Sequence, residues 1–165
     1  MEPTRPFLIE TQKAYIAGFF DGDGSLIGRI VPDASCVFGY RLSYTFQLSQ
    51  LKKRKNHLEK IRQELQVGQI RERGEMCDYY TSNRDDILWI LIQIQQYVRM
   101  KKGQLDKMSD CLKQMPRSRK DKISPETFIK LCLEFDAISS LNDFSETRLH
   151  TAKSVIEAFK QKKLI

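Results

Sequence analysis

The sequence predicts an α+β fold in which a helix and two strands occur twice in succession, followed by a helical C-terminal part. The most direct observation is the strict alternation over residues 40–49, where every even position is apolar or aromatic and every odd position is polar. A period of two indicates a strand with one buried face. From residue 87 onward, apolar residues recur at helical spacing instead.

The elements of the N-terminal half follow from turn and cap residues. A first helix is expected to begin with Thr11 as its cap and to end at Gly22 and Gly24. A short strand over Ser25–Val31 precedes the alternating strand, and a helix over Lys52–Leu65 follows it. The first half of the predicted order is therefore helix, strand, strand, helix.

A second pair of strands and a series of helices complete the prediction. Gln69–Arg73 and Met76–Thr81 are expected to pair through a turn at Gly74. Ser124 and Pro125 have the residue types of a helix cap and first turn. Apolar residues at helical spacing predict four helices, around residues 87–98, 105–112, 124–138 and 152–159.

Length and composition point to one soluble domain over residues 1–165, since 165 residues suffice for a core of their own. No apolar run reaches the roughly 18 residues that a membrane span requires, so no membrane partner is expected. The N-terminal residues fit neither a secretory signal nor a transit peptide. Four widely spaced cysteines without a CxxC pair favour free thiols in a reducing compartment over a zinc site: Cys36, Cys77, Cys111 and Cys132.

A formal net charge of +7 and a pI near 9.3 make polyanions plausible partners, because neutralised phosphates release counterions. The basic residues are clustered in residues 52–55, in 99–102, and in the charged connection between Pro116 and Pro125. Such clusters are more often solvated surface than binding sites. Charge alone therefore gives a direction without identifying a site.

The segment Tyr15–Ser25 carries the most specific pattern. Ala14, Gly18 and Gly22 recur every four residues, so one face of the helix is almost bare and a second helix could approach it closely. The helix then ends in Asp21 and Asp23, and two such ends side by side would need cations between them. The alternative of a simple Asp-Gly turn stays open. A calcium-binding loop does not fit, because its glycine and glutamate positions hold other residues.

This segment resembles the LAGLIDADG motif, and the similarity extends along nearly the whole chain. It includes RLSYTFQLSQ at 41–50, VGQIRERGEMCDYY at 67–80, YVRMKKGQ at 97–104, and SPETF at 124–128 followed by LND. The chain is similar to single-motif homing endonucleases encoded in organellar group I introns, particularly those of algal chloroplasts. The resemblance implies an αββαββα fold with an antiparallel, saddle-shaped sheet and C-terminal helices.

The resemblance also implies a function. A homodimer would cleave double-stranded DNA at a long, pseudo-palindromic target, using Mg²⁺ or Mn²⁺, while Ca²⁺ would bind without supporting cleavage. The protein would be made and act in an organelle, either chloroplast or mitochondrion. Two alternatives stay open at this point: an RNA maturase that assists intron splicing, and a basic DNA-binding regulator without catalysis.

Particular residues take on roles through the same resemblance. Asp23 matches the last acidic residue of the motif, which binds metal together with the carbonyl of Gly22. Asp21 matches a position with a less direct role, and helix termination is its expected contribution. The pocket that orders water around the nucleophile corresponds to Gln50, Arg54 and Lys101. The bare helix face formed by Ala14, Gly18 and Gly22 is the expected dimer interface.

Base recognition is expected from the polar face of the sheet in the major groove, because arginine suits guanine, glutamine suits adenine, and aspartate accepts from cytosine. The matching positions are Arg29, Val31, Asp33, Ser35, Cys36, Tyr40, Arg41, Ser43, Thr45, Gln47, Arg71, Arg73, Asp78 and Tyr80. Lys52 and Lys55 are expected to contact phosphates instead. Gly28 inside a strand, and an apparent extra residue between Asn142 and His150, depart from the family pattern.

Overall fold

The computed structural model describes residues 5–117, 122–142 and 148–165. The chain divides into two compact units. The first unit comprises the chain up to Leu26 together with Thr45–Leu105, and the second comprises Ile27–Tyr44 with the chain from Asp106 onward. The expectation of a single endonuclease domain stays a prediction. Two predicted features, the middle of the charged connection and most of the loop before His150, lie at 118–121 and 143–147, outside the described residues.

The predicted order of helices and strands is confirmed. The elements are α1 (Glu10–Asp23), β1 (Gly24–Pro32), β2 (Tyr40–Leu51), a 3₁₀ turn (Lys52–Arg54), α2 (Lys55–Leu65), β3 (Gln69–Arg73), β4 (Met76–Thr81), α3 (Arg84–Ile94), α4 (Lys102–Gln114), α5 (Pro125–Ser140) and α6 (Ala152–Gln161). The four strands form one sheet in the order β1-β2-β4-β3, and β4 runs antiparallel to both β2 and β3. None of the described helices is long and apolar enough to cross a membrane.

Both ends of α1 differ from the sequence prediction. The helix begins at Glu10, so Thr11 lies inside it and is not its cap. The amide of Ile9 donates instead to Oε1 of Gln12 at 3.0 Å. Gly22 is a helical residue, and only Gly24 follows the helix, with its N–H donating to the carbonyl of Phe20. A glycine lowers helix propensity without forcing a helix to end, so two glycines close together leave the boundary open.

The end of α3 also differs, because the predicted helical stretch reaches Val98 while the helix ends at Ile94. Val98 is nevertheless buried, with 5% of its surface exposed. Apolar spacing reports which residues are buried, and a turn can bury an apolar side chain as well as a helix can. The start of α3 is set by Asn83, whose side chain accepts from the amides of Asp85 and Asp86.

The core of the first unit packs against the face of β2 that carries its even-numbered side chains. Phe46 and Leu48 are fully buried, and Phe46 stacks on Phe20 of α1 with ring centroids 5.4 Å apart. Tyr79 of β4 contacts Phe46 edge to face at 6.3 Å. The alternation of β2 therefore separates an apolar side, which packs on α1, from a polar side. This separation keeps the polar residues of β2 and β4 together on one surface.

In the second unit, a cluster of phenylalanine rings joins the chain after β1 to the C-terminal helices. Phe38 lies 5.1 Å from the ring of Phe128 and 5.2 Å from that of Phe159. The predicted cap of α5 is confirmed, since Oγ of Ser124 accepts from the amide of Thr127 at 3.1 Å. These aromatic contacts fix the chain that follows β1.

Gly28 occupies a place in β1 that has no room for a side chain. A Cβ built there would lie 2.6 Å from Cδ1 of Phe135, whose ring is fully buried. The carbonyl of Gly28 accepts from the guanidinium of Arg148, which also binds Asp136 at 2.8 Å. The unusual glycine therefore lets β1 approach α5 closely.

We expect Gly28→Ala to destabilise the protein by about 1 to 3 kcal/mol, because the added methyl overpacks a filled site. Equilibrium unfolding in denaturant measures the effect. The double variant Gly28→Ala with Phe135→Leu is the control, since the smaller side chain leaves space for the methyl. Its loss in free energy of unfolding should be smaller than the sum of the losses in the two single variants. An unchanged unfolding midpoint for Gly28→Ala would contradict the steric explanation.

Candidate active site and nucleic-acid interface

The C-terminal end of α1 concentrates negative charge. It carries Asp21 and Asp23, and the last turn of this fully described helix holds no basic residue. The carbonyls at a helix C-terminus form the negative pole of the helix dipole, so carboxylates there are unfavourable unless cations compensate them. The side chain of Asp23 is not buried. Because the Asp23 carboxylate is destabilising at a helix C-terminus and is open to solvent, it is suited to binding a cation.

Lys101 supplies one compensating charge from a distant part of the sequence. Its ammonium lies 3.1 Å from the carbonyl oxygen of Phe20, 3.4 Å from that of Gly22 and 2.6 Å from that of Gly24. An ammonium has three donors, and these three oxygens can accept all of them. Lys101 is thereby held at the end of α1, beside the carbonyl predicted to bind metal.

Gln50 and Arg54 complete the group. Nε2 of Gln50 donates to Oδ2 of Asp23 at 3.2 Å, and Nη1 of Arg54 donates to Oε1 of Gln50 at 3.5 Å. The amide of Leu51 also donates to this Oε1, at 2.9 Å, which fixes the orientation of the Gln50 side-chain amide. The first unit therefore brings together all four predicted catalytic residues. The end of β2 and the 3₁₀ turn after it place two of them next to α1.

The oxygen atoms at this site suit a hard divalent cation. Asp23 offers a carboxylate and Gly22 a carbonyl, which are ligand types that Mg²⁺ and Ca²⁺ prefer. Within the described residues, no group of three or more histidine, cysteine, aspartate or glutamate side chains could hold a metal ion. Mg²⁺ commonly combines one or two carboxylates with water and substrate phosphates. The residues present fit such a shared site rather than a closed protein cage.

The bare face of α1 is open to a partner. Ala14, Gly18 and Gly22 are all exposed. A Cβ added at Gly18 or Gly22 would meet nothing within 4 Å among the described residues. Tyr15, on the same helix, is 52% exposed. Nothing in the surrounding fold of the first unit therefore requires glycine at position 18.

A polar surface covers the other side of the sheet in the first unit. In the strand register, Asp78 of β4 pairs with Ser49 of β2 on one side and with Arg71 of β3 on the other. Tyr80 pairs in the same way with Gln47 and Gln69. Residues directly opposite each other on neighbouring strands share a face, so these six side chains lie together.

Asp78 is the centre of this surface and differs from its predicted role. It accepts from Nε of Arg73 at 2.7 Å, from Nε of Arg71 at 3.1 Å and from Oγ of Ser49 at 2.7 Å. Its side chain is fully buried, while those of the two arginines are about half exposed, at 54% and 47%. Burial raises the pKa of Asp78, but hydrogen bonds from Arg73, Ser49 and Arg71 outweigh burial and hold the pKa below its usual value.

This geometry differs from the one expected of a base-reading residue at Asp78. Nη2 of Arg73 donates a fourth hydrogen bond, to Oδ1 at 3.2 Å, so in this arrangement Asp78 has no free acceptor position to offer to cytosine. Its contribution is to fix the direction of Arg71 and Arg73. Sequence reasoning missed Ser49, because a hydroxyl in a strand gives no signal that distinguishes it from its neighbours.

Arg71 is held by further contacts. Its Nη2 donates to Oε1 of Gln47 at 2.8 Å, and its guanidinium carbon lies 4.6 Å from the ring centre of Tyr80. The hydroxyl of Tyr80 donates to Oε1 of Gln69 at 3.1 Å. Thr45, another predicted reader, exchanges a 2.9 Å hydrogen bond with Ser82. Gln69 was not among the predicted readers, although alternation along the strand predicts that it shares a face with Arg71 and Arg73.

The predicted readers in the second unit differ in accessibility. Arg29 and Arg41 are exposed, while Val31, Cys36 and Ser43 are half-buried. Asp33 accepts from both the amide and the hydroxyl of the exposed Ser35, at 3.0 and 2.6 Å, and lies 3.5 Å from Nε of Arg41. The carboxylate of Asp33 therefore shapes the chain between β1 and β2.

Tyr40 lies on the other side of β2 from Arg41. It has the same parity as the buried Leu42, and its ring lies 6.2 Å from the ring of His150. Alternation along a strand sends neighbouring side chains to opposite faces. The structure therefore separates Tyr40 from the polar face on which it was expected.

The basic residues after β2 have an acidic neighbour. Lys52 lies 2.7 Å and Lys55 lies 2.9 Å from the carboxylate of Glu72. Hydrogen bonds from Lys52 and Lys55 lower the pKa of Glu72 to about 2. Exposed pairs of this kind are weak and screened by salt, so a phosphate could replace Glu72 as their partner.

A glycine-lined helix that ends in a carboxylate, beside a sheet with a polar face, is the arrangement expected of an endonuclease of the LAGLIDADG class. A sequence model described as LAGLIDADG endonuclease matches residues 16–110. The chain belongs to the LAGLIDADG endonuclease family.

Individual relatives agree with this membership. The chain is 35% identical to DNA endonuclease I-CreI of Chlamydomonas reinhardtii over 151 residues, covering 90% of this chain and 91% of the relative. It is 24% identical to DNA endonuclease I-CvuI of Chlorella vulgaris over 162 residues, covering 98% and 97%. The crystal structure of homing endonuclease I-CvuI with its target and calcium matches with a TM-score of 0.85, covering 94% and 96%. The archaeal homing endonuclease I-Vdi141I in complex with DNA matches with a TM-score of 0.81 over 94% of this chain, at 18% identity.

Proposed function

We propose that this chain is a site-specific DNA endonuclease that acts as a homodimer and hydrolyses both strands of a long, pseudo-palindromic target. The observation that supports the proposal is the gathering of Gln50, Arg54 and Lys101 around Asp23 at the end of α1. Residues from three separate stretches of sequence meet where a carboxylate and a carbonyl are available to a cation. Family membership supplies the reaction, DNA cleavage.

Each residue has a distinct part in the reaction. A bound divalent cation would activate water and stabilise the leaving oxygen. Asp23 and the carbonyl of Gly22 would provide oxygen ligands for it. Gln50 orients the Asp23 carboxylate through its 3.2 Å contact and can order a nearby water with its amide. Arg54 and Lys101 place positive charge where the phosphate becomes more negative in the transition state.

The homodimer follows from the number of acidic motifs. Cutting two strands requires two sites, and one chain contains one such motif. Two copies related by a two-fold axis would bring the faces of Ala14, Gly18 and Gly22 together and place the two Asp23 carboxylates close to each other. Cations and phosphates between them would offset their repulsion.

We expect Mg²⁺ or Mn²⁺ to support cleavage, and Ca²⁺ to support DNA binding without cleavage. The solved complexes of I-CvuI are informative here. One holds its own target with calcium, and another holds the I-CreI target in 2 mM magnesium with the DNA not cleaved. Binding of a related target in the presence of magnesium is therefore not sufficient for cutting in that relative. We expect cleavage by this chain to depend equally strongly on the target sequence.

The direct test is to incubate the protein and Mg²⁺ with a plasmid that carries the uninterrupted sequence flanking the insertion point of its gene. We expect a single double-strand break in that sequence and none in a plasmid with the interrupted allele. Binding without cleavage in either Mg²⁺ or Mn²⁺ would favour a non-catalytic regulator. Stimulation of intron splicing without DNA cleavage would favour a maturase, which gains no support from the two curated relatives, both named DNA endonucleases.

The two curated relatives are from the algae Chlamydomonas reinhardtii and Chlorella vulgaris. We propose that this protein is likewise made and acts within an organelle, chloroplast or mitochondrion. Detection of the coding sequence in purified organellar DNA tests this proposal, and its recovery only from nuclear DNA would contradict it.

We expect Arg71→Ala and Arg73→Ala to relax base preference at symmetry-related positions in both half-sites. Asp78 fixes both guanidinium groups on the polar face, and a bidentate contact to guanine contributes roughly 1 to 3 kcal/mol of discrimination. Selection of cleavable sites from a randomised library measures the base profile.

Lys52→Ala is the matched control for the arginine variants. It should weaken binding almost uniformly across sequences and reduce the dependence of binding on salt. If the arginine variants instead lost activity equally on every target, with an unchanged base profile, both arginines would be phosphate contacts.

A further inference from the structure

Asp21 makes contacts that helix termination does not explain. Its Oδ2 accepts from the amide of Arg99 at 2.8 Å, and its Oδ1 accepts from the amide of Lys101 at 3.0 Å. Both amides belong to the turn immediately before α4, where backbone N–H groups have no partner within a helix. One carboxylate therefore binds two backbone donors that are 78 and 80 positions away in sequence.

Lys101 is consequently fixed at both ends. Its backbone is held by Asp21, and its ammonium is held by the carbonyls of Phe20, Gly22 and Gly24. A lysine side chain has four rotatable bonds, so the position of its ammonium depends on how firmly its backbone is placed. Without Asp21, only the flexible side chain would connect residue 101 to α1 through these hydrogen bonds.

We propose that Asp21 is a positioning residue for cleavage, which acts by anchoring the backbone of Lys101 so that its ammonium stays beside the Gly22 carbonyl and Asp23. This proposal rests on the proposed function of Lys101 in the active site. The two acidic residues of the motif then have separate roles. Asp23 faces the reacting groups, and Asp21 holds Lys101, whose ammonium lies beside them. Asp21 is half-buried and its two oxygens are both engaged, which suits the second task.

The test combines Asp21→Asn with Lys101→Ala in a double-mutant cycle of single-turnover cleavage rates. An asparagine retains one acceptor oxygen but turns an amide group toward the second N–H donor. We expect Asp21→Asn to slow cleavage by about 10- to 100-fold in the parent, the range that follows misplacement of a catalytic group. The same change should slow the Lys101→Ala variant by less than about threefold, because the group being positioned is already absent.

Two measurements separate this role from general stability. DNA affinity in Ca²⁺ and the unfolding midpoint should change little in Asp21→Asn, and Asp110→Asn, at an exposed position of α4, controls for loss of one negative charge. Hydrogen exchange of the DNA-free protein should be slow at the Arg99 and Lys101 amides and should accelerate in Asp21→Asn. If Asp21→Asn does not fold, Asp21→Glu, which shifts the carboxylate by one methylene, replaces it in the cycle.

The outcomes distinguish the two proposals. Equal slowing by Asp21→Asn in both backgrounds, or unchanged amide exchange, would overturn the anchoring role while leaving the endonuclease function intact. Parent-like cleavage by Lys101→Ala would remove Lys101 from the proposed active site and overturn the anchoring role with it.

Discussion

Asp23→Asn is expected to abolish cleavage while preserving the fold and DNA binding. The amide has the shape of the carboxylate and can still accept from Nε2 of Gln50, but it loses the charge that binds a divalent cation. We expect the single-turnover rate to fall by at least about 100-fold, as follows removal of one electrostatic contact in other active sites. Affinity for the target, measured without divalent cations, should stay within about threefold of the parent, because the metal site is then empty in both proteins.

The control for this variant is again Asp110→Asn, which removes one negative charge from an exposed helix position. It should cleave at the parent rate. Parent-like cleavage by Asp23→Asn in Mg²⁺ would show that the metal ligand lies elsewhere. A loss of binding as large as the loss of cleavage would show that Asp23 contributes to assembly or to folding instead.

Gly18→Leu is expected to leave the single chain folded and to prevent dimerisation. Gly18 is exposed, and a Cβ added there meets nothing within 4 Å among the described residues, so we expect the single chain to accommodate a larger side chain and the clash to arise at the dimer interface. Overpacking costs about 1 to 3 kcal/mol per site, and a two-fold dimer contains two such leucines, one from each chain. Dimer affinity should therefore fall by roughly 30-fold or more. Cleavage of both strands should fall with it.

Sedimentation at several protein concentrations measures the assembly, and circular dichroism measures the fold. Glu157→Leu is the matched control, because it adds the same side chain at an exposed position of α6. It should remain dimeric and active. A dimeric, active Gly18→Leu protein would exclude the bare face of α1 as the interface, whereas an active monomer would exclude the homodimer itself.

The predictions from sequence that hold best are those that depend on local repetition. Strict alternation in β2 predicted both a strand and its polar side, and the hairpin of β3 and β4 has the predicted bounds. A two-residue period has one structural interpretation when it persists over ten residues. Helix ends were less certain, as Thr11 and Gly22 illustrate, because several nearby residues satisfy the same local preferences.

Residue chemistry and the family resemblance together identified the candidate catalytic group. The structure places Asp23, Gln50, Arg54 and Lys101 in one location, although Lys101 is an ordinary surface lysine by sequence alone. The position of Lys101 depends on hydrogen bonds with α1. No sequence pattern around residue 101 predicts these hydrogen bonds. The resemblance supplied what spacing could not.

The sequence by itself determined the order of elements, because apolar residues recur at strand or helix spacing along the chain. It also determined the bare face of α1 and the acidic end of that face, because small and acidic residues follow a regular spacing within one segment. Only the tertiary structure decided that Asp78 is enclosed by Arg71, Arg73 and Ser49, and that Asp21 binds the turn before α4. From sequence alone, either aspartate could be a metal ligand, a base-reading residue or a turn residue. Their roles depend on which donors surround them, and those donors come from other strands and from a distant turn, which local sequence does not specify.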